Sequence, residues 1–466
     1  MTADLNPEEA VNSNRPRRRR TALFWLVLVT GVLVLFVGYR LATLPDLRPP
    51  FDVASFASVS IPDDQNAFTY YRQAKDRFVE ASAVVPDVKA QPVLWKKLEA
   101  TIDNGWSKAD EPVQKWLQLN QPALEVWRRG TECPDGMEMP PGTKTIEAIL
   151  AVSQSQRELV KMALLQASRT ATGKRPAEAW PWYRAVLRSS RHVSRHSETI
   201  GRMIGVAIHS ITVEPVLRWS SRPELTATDL RHALADVVAI DAMTASRSDT
   251  LKAEYLVSCK TMEANTAGWS GLPFRVIGLR ESFQEALNLV YANWLSQIDR
   301  PRFRRLPSMG SKWQLFEIDP AAPRDPKVLS PAEIEERCGV ARQSLGTRLV
   351  DLLVPSIMAF IDSTDRERAR QAALVLGVAL ELYHREHGRF PDAVDELVKE
   401  KYLKSIPADP FEKGESLHYR RDSDPRKGAI LWSVWTDGID QDGKLEVEPQ
   451  RQSELGDKIF RIAAPQ

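Results

Sequence analysis

The chain has 466 residues, of which 43% are hydrophobic and 27% are charged, an ordinary composition for a globular protein that buries a core. The formal net charge is +2, and the first 20 residues supply five arginines against three acidic residues, so the rest is close to neutral. A chain without a long basic stripe is not expected to bind nucleic acid.

The cysteines, Cys133, Cys259 and Cys338, lie far apart and form no CxxC pair. This spacing excludes a disulfide framework and a cysteine zinc site. Two of them could pair in an oxidising compartment, and the alternative is that all three serve as small buried apolar residues.

Residues 21–39 form an uncharged apolar run directly behind four consecutive arginines. As a helix, such a run is roughly 28 Å long, close to the hydrocarbon thickness of a bilayer. Because arginines stay on the cytoplasmic side, we expect a basic cytoplasmic tail at 1–20, a transmembrane signal anchor at 21–43 and the bulk outside. A cleaved signal peptide is the rival interpretation, but it would have a shorter apolar region and a small-residue cleavage site. The expected location is therefore the cytoplasmic (inner) membrane, with a single pass.

After a proline-rich linker at 44–65, helical periodicity predicts a mainly α, irregular multi-helix extracytoplasmic domain over residues 66–362. It starts near Asn66, where apolar residues begin to recur at three- and four-residue steps. Further amphipathic helices are predicted at 144–171, from 176 through about 208, and at 226–243, 281–295 and 345–360.

The sequence pattern of residues 363–466 predicts a small α+β module. The Thr364 and Glu367 pair has the spacing of a capping box that opens a helix, and Gly388 has the position of a residue that ends one. Three strands are predicted after it, at 416–420, 430–436 and 444–448.

This module carries an ordered set of motif residues: Leu382, Tyr383, Gly388, Arg389, Phe390, Pro391, Leu397, Tyr402, Leu403, Pro407, Asp409, Pro410, Phe411, Tyr419, Ser433, Val434, Asp437 and Gly438. In this order they resemble the globular half of the major pseudopilins of type II secretion. The resemblance implies one helix packed against a small antiparallel sheet. The apolar membrane segment lies far upstream of the module here, so assembly into a fibre is not expected. The whole layout resembles bacterial single-pass envelope proteins that carry this module as a C-terminal appendage.

The loop after the final strand binds calcium in that family, and the resemblance places the metal ligands here at Asp437, Asp440 and Asp442. Calcium takes six to eight oxygen ligands, and three carboxylates within six residues, with Gly438 and Gly443 for tight turns, can supply several of them. A solvated acidic turn is the alternative interpretation.

Catalytic motifs of the GxSxG, GxxxxGK[ST] and GxGxxG kinds are missing from the sequence, and we assign no catalytic residue. His384 and His387 fall at a helix C-terminus, where positive charge is favourable, while His192, His196 and His209 are expected on the surface. The sequence therefore favours a non-enzymatic interaction or scaffold protein with an envelope protein as partner. Two alternatives stay open: an accessory component of a type II secretion-like system, or an envelope hydrolase whose pocket within 66–360 holds carboxylates between tryptophan walls.

Overall fold

A computed structural model describes residues 15–42, 49–143, 146–173, 175–265, 279–305, 316–317, 327–328, 330, 343–421, 428–444, 446 and 456–462. Within these residues the protein is mainly helical and has one small three-stranded sheet, as the sequence predicts. The first helices are α1 (Arg15–Ala42), α2 (Val53–Ala57), α3 (Ala67–Asp76), α4 (Gln91–Asn104), α5 (Glu111–Leu119), α6 (Gln121–Thr131) and α7 (Ile146–Ala171). They are followed by α8 (Trp180–Ser194), α9 (Thr199–Ser220), α10 (Ala227–Asp241), α11 (Arg247–Asn265), α12 (Leu279–Leu295), α13 (Gln343–His387) and α14 (Glu396–Lys399).

Helix starts follow the polar residues that satisfy free backbone amides. The Asn66 side chain accepts a 3.1 Å hydrogen bond from the amide of Phe68 and caps α3, at the predicted position. Thr226 and Asp229 form a reciprocal capping box at the start of α10. The predicted helices at 144–171 and 281–295 correspond to α7 and α12.

The helix predicted from 176 through about 208 is wrong as a single element, because the chain breaks into α8 and α9. His196 takes the left-handed conformation with a φ of 51°, which interrupts the helix. Glu198 then caps α9 by accepting a 3.1 Å hydrogen bond from the amide of Gly201. The two helices pack closely at Gly205, where an added Cβ would lie 2.0 Å from the hydroxyl oxygen of Ser194.

Helix α13 is 45 residues long and passes without interruption through the predicted helix start at Thr364. The capping-box interpretation is therefore wrong: the Thr364 hydroxyl donates to the carbonyl of Ile361 at 2.8 Å, and Glu367 binds buried arginines. Apolar contacts continue upstream through Ile357 and Phe360, so nothing favours a break there. The predicted domain boundary at 362/363 falls inside this helix.

Two apolar clusters hold the helices together. The main core joins residues 67–240 to residues 372–462, so the helical part and the C-terminal module share it. Its largest fully buried apolar side chains are Trp116, Trp127, Trp219, Tyr71, Tyr383 and Phe460. The small core lies between α11, α12 and α13, and the segment just after the predicted anchor packs against it. Its members include Leu251, Tyr255, Leu287, Tyr291, Trp294, Ile298, Phe360 and Ile361, with Phe51, Val53 and Phe56 at the edge.

The C-terminal sheet is antiparallel in the order β3 (His418–Arg421), β4 (Ala429–Ser433), β5 (Lys458–Ile462). Leu431 of the central strand pairs with Tyr419 on one side and Phe460 on the other. The prediction placed the third strand too early, at 444–448. Of those residues the structure describes Lys444 and Glu446, and Glu446 forms only an isolated bridge to Asp457. A second, two-residue pairing joins β1 (Phe316–Glu317) to β2 (Lys327–Val328).

Two described helices are apolar enough to bear on a membrane location. By length and hydropathy, α9 could cross a bilayer, but 67% of its most apolar window is buried inside the protein, as expected for a core helix. The apolar stretch Leu23–Tyr39 within α1 is shorter. Its large side chains are exposed, for example Leu35 at 74%.

Candidate functional site

The predicted metal ligands lie in the loop that leaves β4. Left-handed backbone conformations at Gly438, Asp442 and Gly443, with φ between 57° and 68°, fold this loop into tight turns. Asp442 adopts this conformation although it is not a glycine, and aspartate tolerates it better than most residues do. We call residues 437–443 together with Asp457 the acidic loop.

Backbone amides surround the carboxylates of the acidic loop. Asp437 accepts hydrogen bonds from the amides of Ile439 at 3.0 Å and Gly456 at 2.9 Å. One oxygen of Asp440 accepts from the amide of Asp442 at 2.8 Å and from the Trp432 indole at 2.9 Å. These bonds lower the pKa of Asp440 even though burial opposes the shift.

Asp457 belongs to this site and was missed by sequence reasoning. It is fully buried and accepts from the amides of Gly443 at 2.8 Å and Gln441 at 3.1 Å. Burial raises the pKa of Asp457, the two amides oppose that effect, and the charges of Asp440 and Asp437 add to the rise. The sequence signal was the Gly456–Asp457 pair before an apolar strand, which is easily read as an ordinary turn.

The loop meets the requirements of a calcium site only in part. Asp442 is 66% exposed on its side chain and binds the Lys444 ammonium at 2.9 Å, away from the other carboxylates. Within the described residues, no three histidine, cysteine, aspartate or glutamate side chains are grouped so that they could hold one metal ion. A calcium ion would therefore need further oxygens from backbone carbonyls and water.

Trp435, two residues before Asp437, connects the acidic loop to the rest of the protein. It is buried although its backbone is left-handed, with a φ of 52°, a conformation that costs a bulky residue energy. The guanidinium of Arg370 lies 5.0 Å from its ring and that of Arg366 lies 5.9 Å away. The ring of Phe411 packs at 5.4 Å. The loop is thus held against α13 by cation–π and aromatic contacts.

A buried charge cluster lies where α8, α9 and α13 meet. The Glu367 carboxylate is bound by Arg191 and by Arg202, and all three side chains are at most 2% exposed. Burial disfavours the charged carboxylate, but the two guanidinium groups outweigh this and lower the pKa of Glu367 to about 2. Gln371, one turn later, accepts from Arg191 at 3.2 Å and contacts Nε2 of His209 at 2.8 Å. The cluster fixes the position of α13 between its neighbours.

A second charge cluster surrounds Asp365 beside the small core. This fully buried carboxylate is bound by Arg247, by Arg305 at 2.8 Å and by Arg302 at 3.2 Å. Burial raises its pKa, but the three arginines together bring the pKa of Asp365 below its ordinary value. Since both its oxygens are occupied, Asp365 has the surroundings of a structural ion-pair residue and not those of a catalytic acid.

The histidine predictions divide into correct and wrong ones. His384 and His387 lie in the last turn of α13, as predicted. His192 and His209 were expected on the surface but are fully buried. Burial, with further help from Arg188 and Arg191 respectively, lowers the pKa of each to about 3. His192 binds the hydroxyl of Tyr71 at 2.9 Å.

Two open clefts lie on the described surface. One, about 770 Å³, runs between α10 and residues 400–407, and of its three carboxylates Glu386 binds Arg231 and Glu400 binds His387. The other, about 440 Å³, lies between α4, α7 and α9 and is lined by Trp95, Glu99 and Glu158. There Lys161 binds Glu99 at 2.5 Å and sits 5.1 Å from the Trp95 ring.

Of the three cysteines, Cys133 and Cys259 form no disulfide within the described part of the chain, while Cys338 lies outside it. Comparison of the chain with protein families, with curated proteins and with solved structures finds no match.

Proposed function

We propose that this protein is anchored in the cytoplasmic membrane by α1 and presents an extracytoplasmic helical body that serves as an interaction or scaffold protein of the bacterial envelope. The observation that carries this proposal is the exposure of α1. From Leu23 to Phe36 its large apolar side chains are 43–74% exposed, and no described part of the protein covers them. Such a surface is stable in lipid and unfavourable in water.

Charge and length support the same assignment. The apolar stretch Leu23–Tyr39 of α1 is roughly 26 Å long, which approaches the hydrocarbon thickness of a bilayer. The arginines at 17–20 precede it, which favours an N-terminus inside and a body outside.

A pair of C-terminal reporter fusions tests the location. We expect a C-terminal alkaline phosphatase to be active and a C-terminal green fluorescent protein to stay dark, and we expect the chain to resist carbonate extraction. A variant with Leu26, Val29 and Leu33 changed to aspartate should lose membrane retention. A fusion that is fluorescent and phosphatase-negative would place the body in the cytoplasm and overturn the proposal.

We further propose that the acidic loop binds calcium and that the ion stabilises the C-terminal module. Support comes from its electrostatics: Asp457 is buried beside Asp437 and Asp440, and burial, with a further contribution from these two charges, raises the pKa of Asp457. A divalent cation would relieve the repulsion between these carboxylates. An ion that binds the folded loop and not the unfolded chain raises the free energy of unfolding.

Thermal unfolding of the full chain in calcium and then in chelator measures this effect. We expect calcium to raise the melting temperature, and the rise to vanish when Asp437, Asp440 and Asp442 are all changed to asparagine. Asp103→Asn, an exposed change elsewhere, serves as control and should keep the full rise. An unchanged melting temperature in the wild-type protein would refute the calcium site and leave the anchor proposal intact.

The cleft lined by Trp95, Glu99 and Glu158 is the one observation that favours the hydrolase alternative. It combines an aromatic wall with two carboxylates, which is the arrangement expected of a glycan-binding site. Incubation of the purified protein with peptidoglycan tests this. Release of reducing ends that is abolished by Glu99→Gln or Glu158→Gln, and kept by Glu125→Gln, would support a hydrolase. If the wild-type protein leaves the peptidoglycan intact, the hydrolase alternative is wrong.

A further inference from the structure

Phe303 is an unusually placed aromatic residue. Its side chain is 45% exposed, and outside α1 no other phenylalanine, tyrosine or tryptophan whose side chain the structure describes is as exposed. It lies in a short turn of 3₁₀ helix, Arg302–Arg304. Arg302 binds Asp362 at 2.6 Å, and the Arg305 guanidinium binds Asp365, so the turn cannot fold its ring into the core.

Two of the four arginines at 300–305 have no carboxylate partner among the described residues. Arg302 and Arg305 are engaged with carboxylates, whereas Arg300 and Arg304 form no ion pair with any carboxylate of the described chain. The guanidinium of Arg304 lies 5.7 Å from the Phe303 ring. Residues 300–305 therefore present an exposed ring with Arg304 beside it, and Arg300 close in sequence, neither arginine paired with a carboxylate of the described residues.

The turn adjoins the small core, and the segment that follows α1 packs against the same core. Only residues 43–48 separate the end of α1 from Pro49, a span of at most about 25 Å when extended. Phe51 then packs its ring 5.4 Å from that of Tyr255 in the small core. The same core contains Ile298, just before the turn, and Ile361, just before the Asp362 that binds Arg302.

We propose that residues 300–305 dock onto the outer surface of the membrane that holds α1, with Phe303 entering the headgroup region and Arg300 and Arg304 contacting anionic lipid headgroups. Aromatic rings and arginines are the residues that favour this interface, since each combines an apolar part with a polar or charged one. The contact itself is small. Because the anchor holds the turn near the bilayer at a high effective concentration, a weak contact suffices to fix the orientation of the body. This inference rests on the proposed anchor.

Photo-crosslinking of the full-length protein tests the contact. The photoreactive residue p-benzoylphenylalanine replaces Phe303, and the protein is reconstituted into phosphatidylglycerol-containing vesicles with an alkyne-tagged phospholipid. The same probe at Val88 and Ile439 gives matched controls, because both are more exposed than Phe303 and neither is flanked by arginine. A probe at Leu28, within α1, reports the anchor itself.

We expect lipid labelling at position 303 to exceed that at 88 and 439 several-fold. It should fall toward the control values in pure phosphatidylcholine and in a variant with Arg300→Glu and Arg304→Glu. Labelling at 28 without excess labelling at 303 overturns the docking contact alone, and crosslinks from 303 to a second copy of the chain do the same. Loss of labelling at 28 overturns the anchor and the docking contact together.

Discussion

Arg202 and Glu367 meet in the interior of the protein, with 2.5 Å between Nη2 and Oε2, although 165 positions separate them in the sequence. Arg202 belongs to α9 and Glu367 to α13, and each side chain is 2% exposed. Because a buried charge without its partner is strongly unfavourable, this contact permits only one placement of α13 along α9.

Replacing Glu367 by glutamine should destabilise the full chain by about 3–5 kcal/mol, since Arg191 and Arg202 would both lose their counter-charge inside the protein. Urea unfolding in detergent micelles measures the change. Glu125→Gln is the control: that side chain is 53% exposed and pairs with Arg128, and its loss should cost less than about 1 kcal/mol. Equal effects of the two substitutions would contradict the role of Glu367.

The free energy of unfolding should decrease as the pH drops below the pKa of histidine in the unfolded chain. In the folded protein the pKa values of His192 and His209 are each about 3, whereas an unfolded histidine titrates at about 6.5. Both therefore stay neutral when folded and take up protons on unfolding. Their contribution is fully present above about pH 6.5 and is lost progressively toward pH 3, by roughly 2 kcal/mol per histidine between about pH 7 and pH 5.

Urea unfolding at the two pH values measures that loss. Changing His192 and His209 to glutamine together should flatten the dependence, while the same change at the exposed His232 should leave it as it is. A pH dependence that survives in the double variant would show that other groups cause it. Glu367 adds a separate loss at lower pH, between about 4.5 and its folded pKa of about 2.

Gly205→Ala should destabilise the protein by about 1–3 kcal/mol or more, because the new methyl group would overlap the Ser194 hydroxyl and lie 2.5 Å from the Ser190 carbonyl oxygen. The helices α8 and α9 would have to separate. Ser210→Ala, on the same helix and only partly buried, should change stability by less than about 0.5 kcal/mol. Equal melting temperatures for the two variants would show that the close packing of α8 and α9 at Gly205 does not contribute to stability.

A fragment of residues 363–466, cut at the sequence-predicted boundary, should not fold cooperatively. It would expose the face of α13 that packs in the main core, and it would leave Glu367 without Arg191 and Arg202. Near-ultraviolet circular dichroism and proton NMR of the fragment check this against residues 49–466. Dispersed amide resonances from the short fragment would establish it as an independent domain.

Local signals in the sequence predicted most helices, because caps and periodicity are local properties. Helices α3 and α10 begin directly after Asn66 and Thr226, where the periodicity places their starts. The failures have non-local causes. Thr364 and Glu367 have the spacing of a capping box, but partners from α8 and α9 decide what Glu367 does. His196 breaks a helix that periodicity alone would continue.

The sequence predicted three carboxylates of the acidic loop as metal ligands but missed the fourth, Asp457. Asp437, Asp440 and Asp442 are close in sequence, so a count of carboxylates finds them. Asp457 reaches the loop only because β5 pairs with β4, and its distance along the chain conceals it. Conversely, the Asp442 carboxylate binds the Lys444 ammonium, and the spacing of the aspartates in the sequence does not indicate this contact.

The length of α13 has a mechanical consequence. At about 68 Å for 45 residues, it contributes to the small core and also contacts the C-terminal sheet. Its contacts with Arg247, Arg202 and Trp435 all fall within two turns, at Asp365, Glu367 and Arg370. A displacement of α13 would therefore disturb the small core, the main core and the acidic loop together.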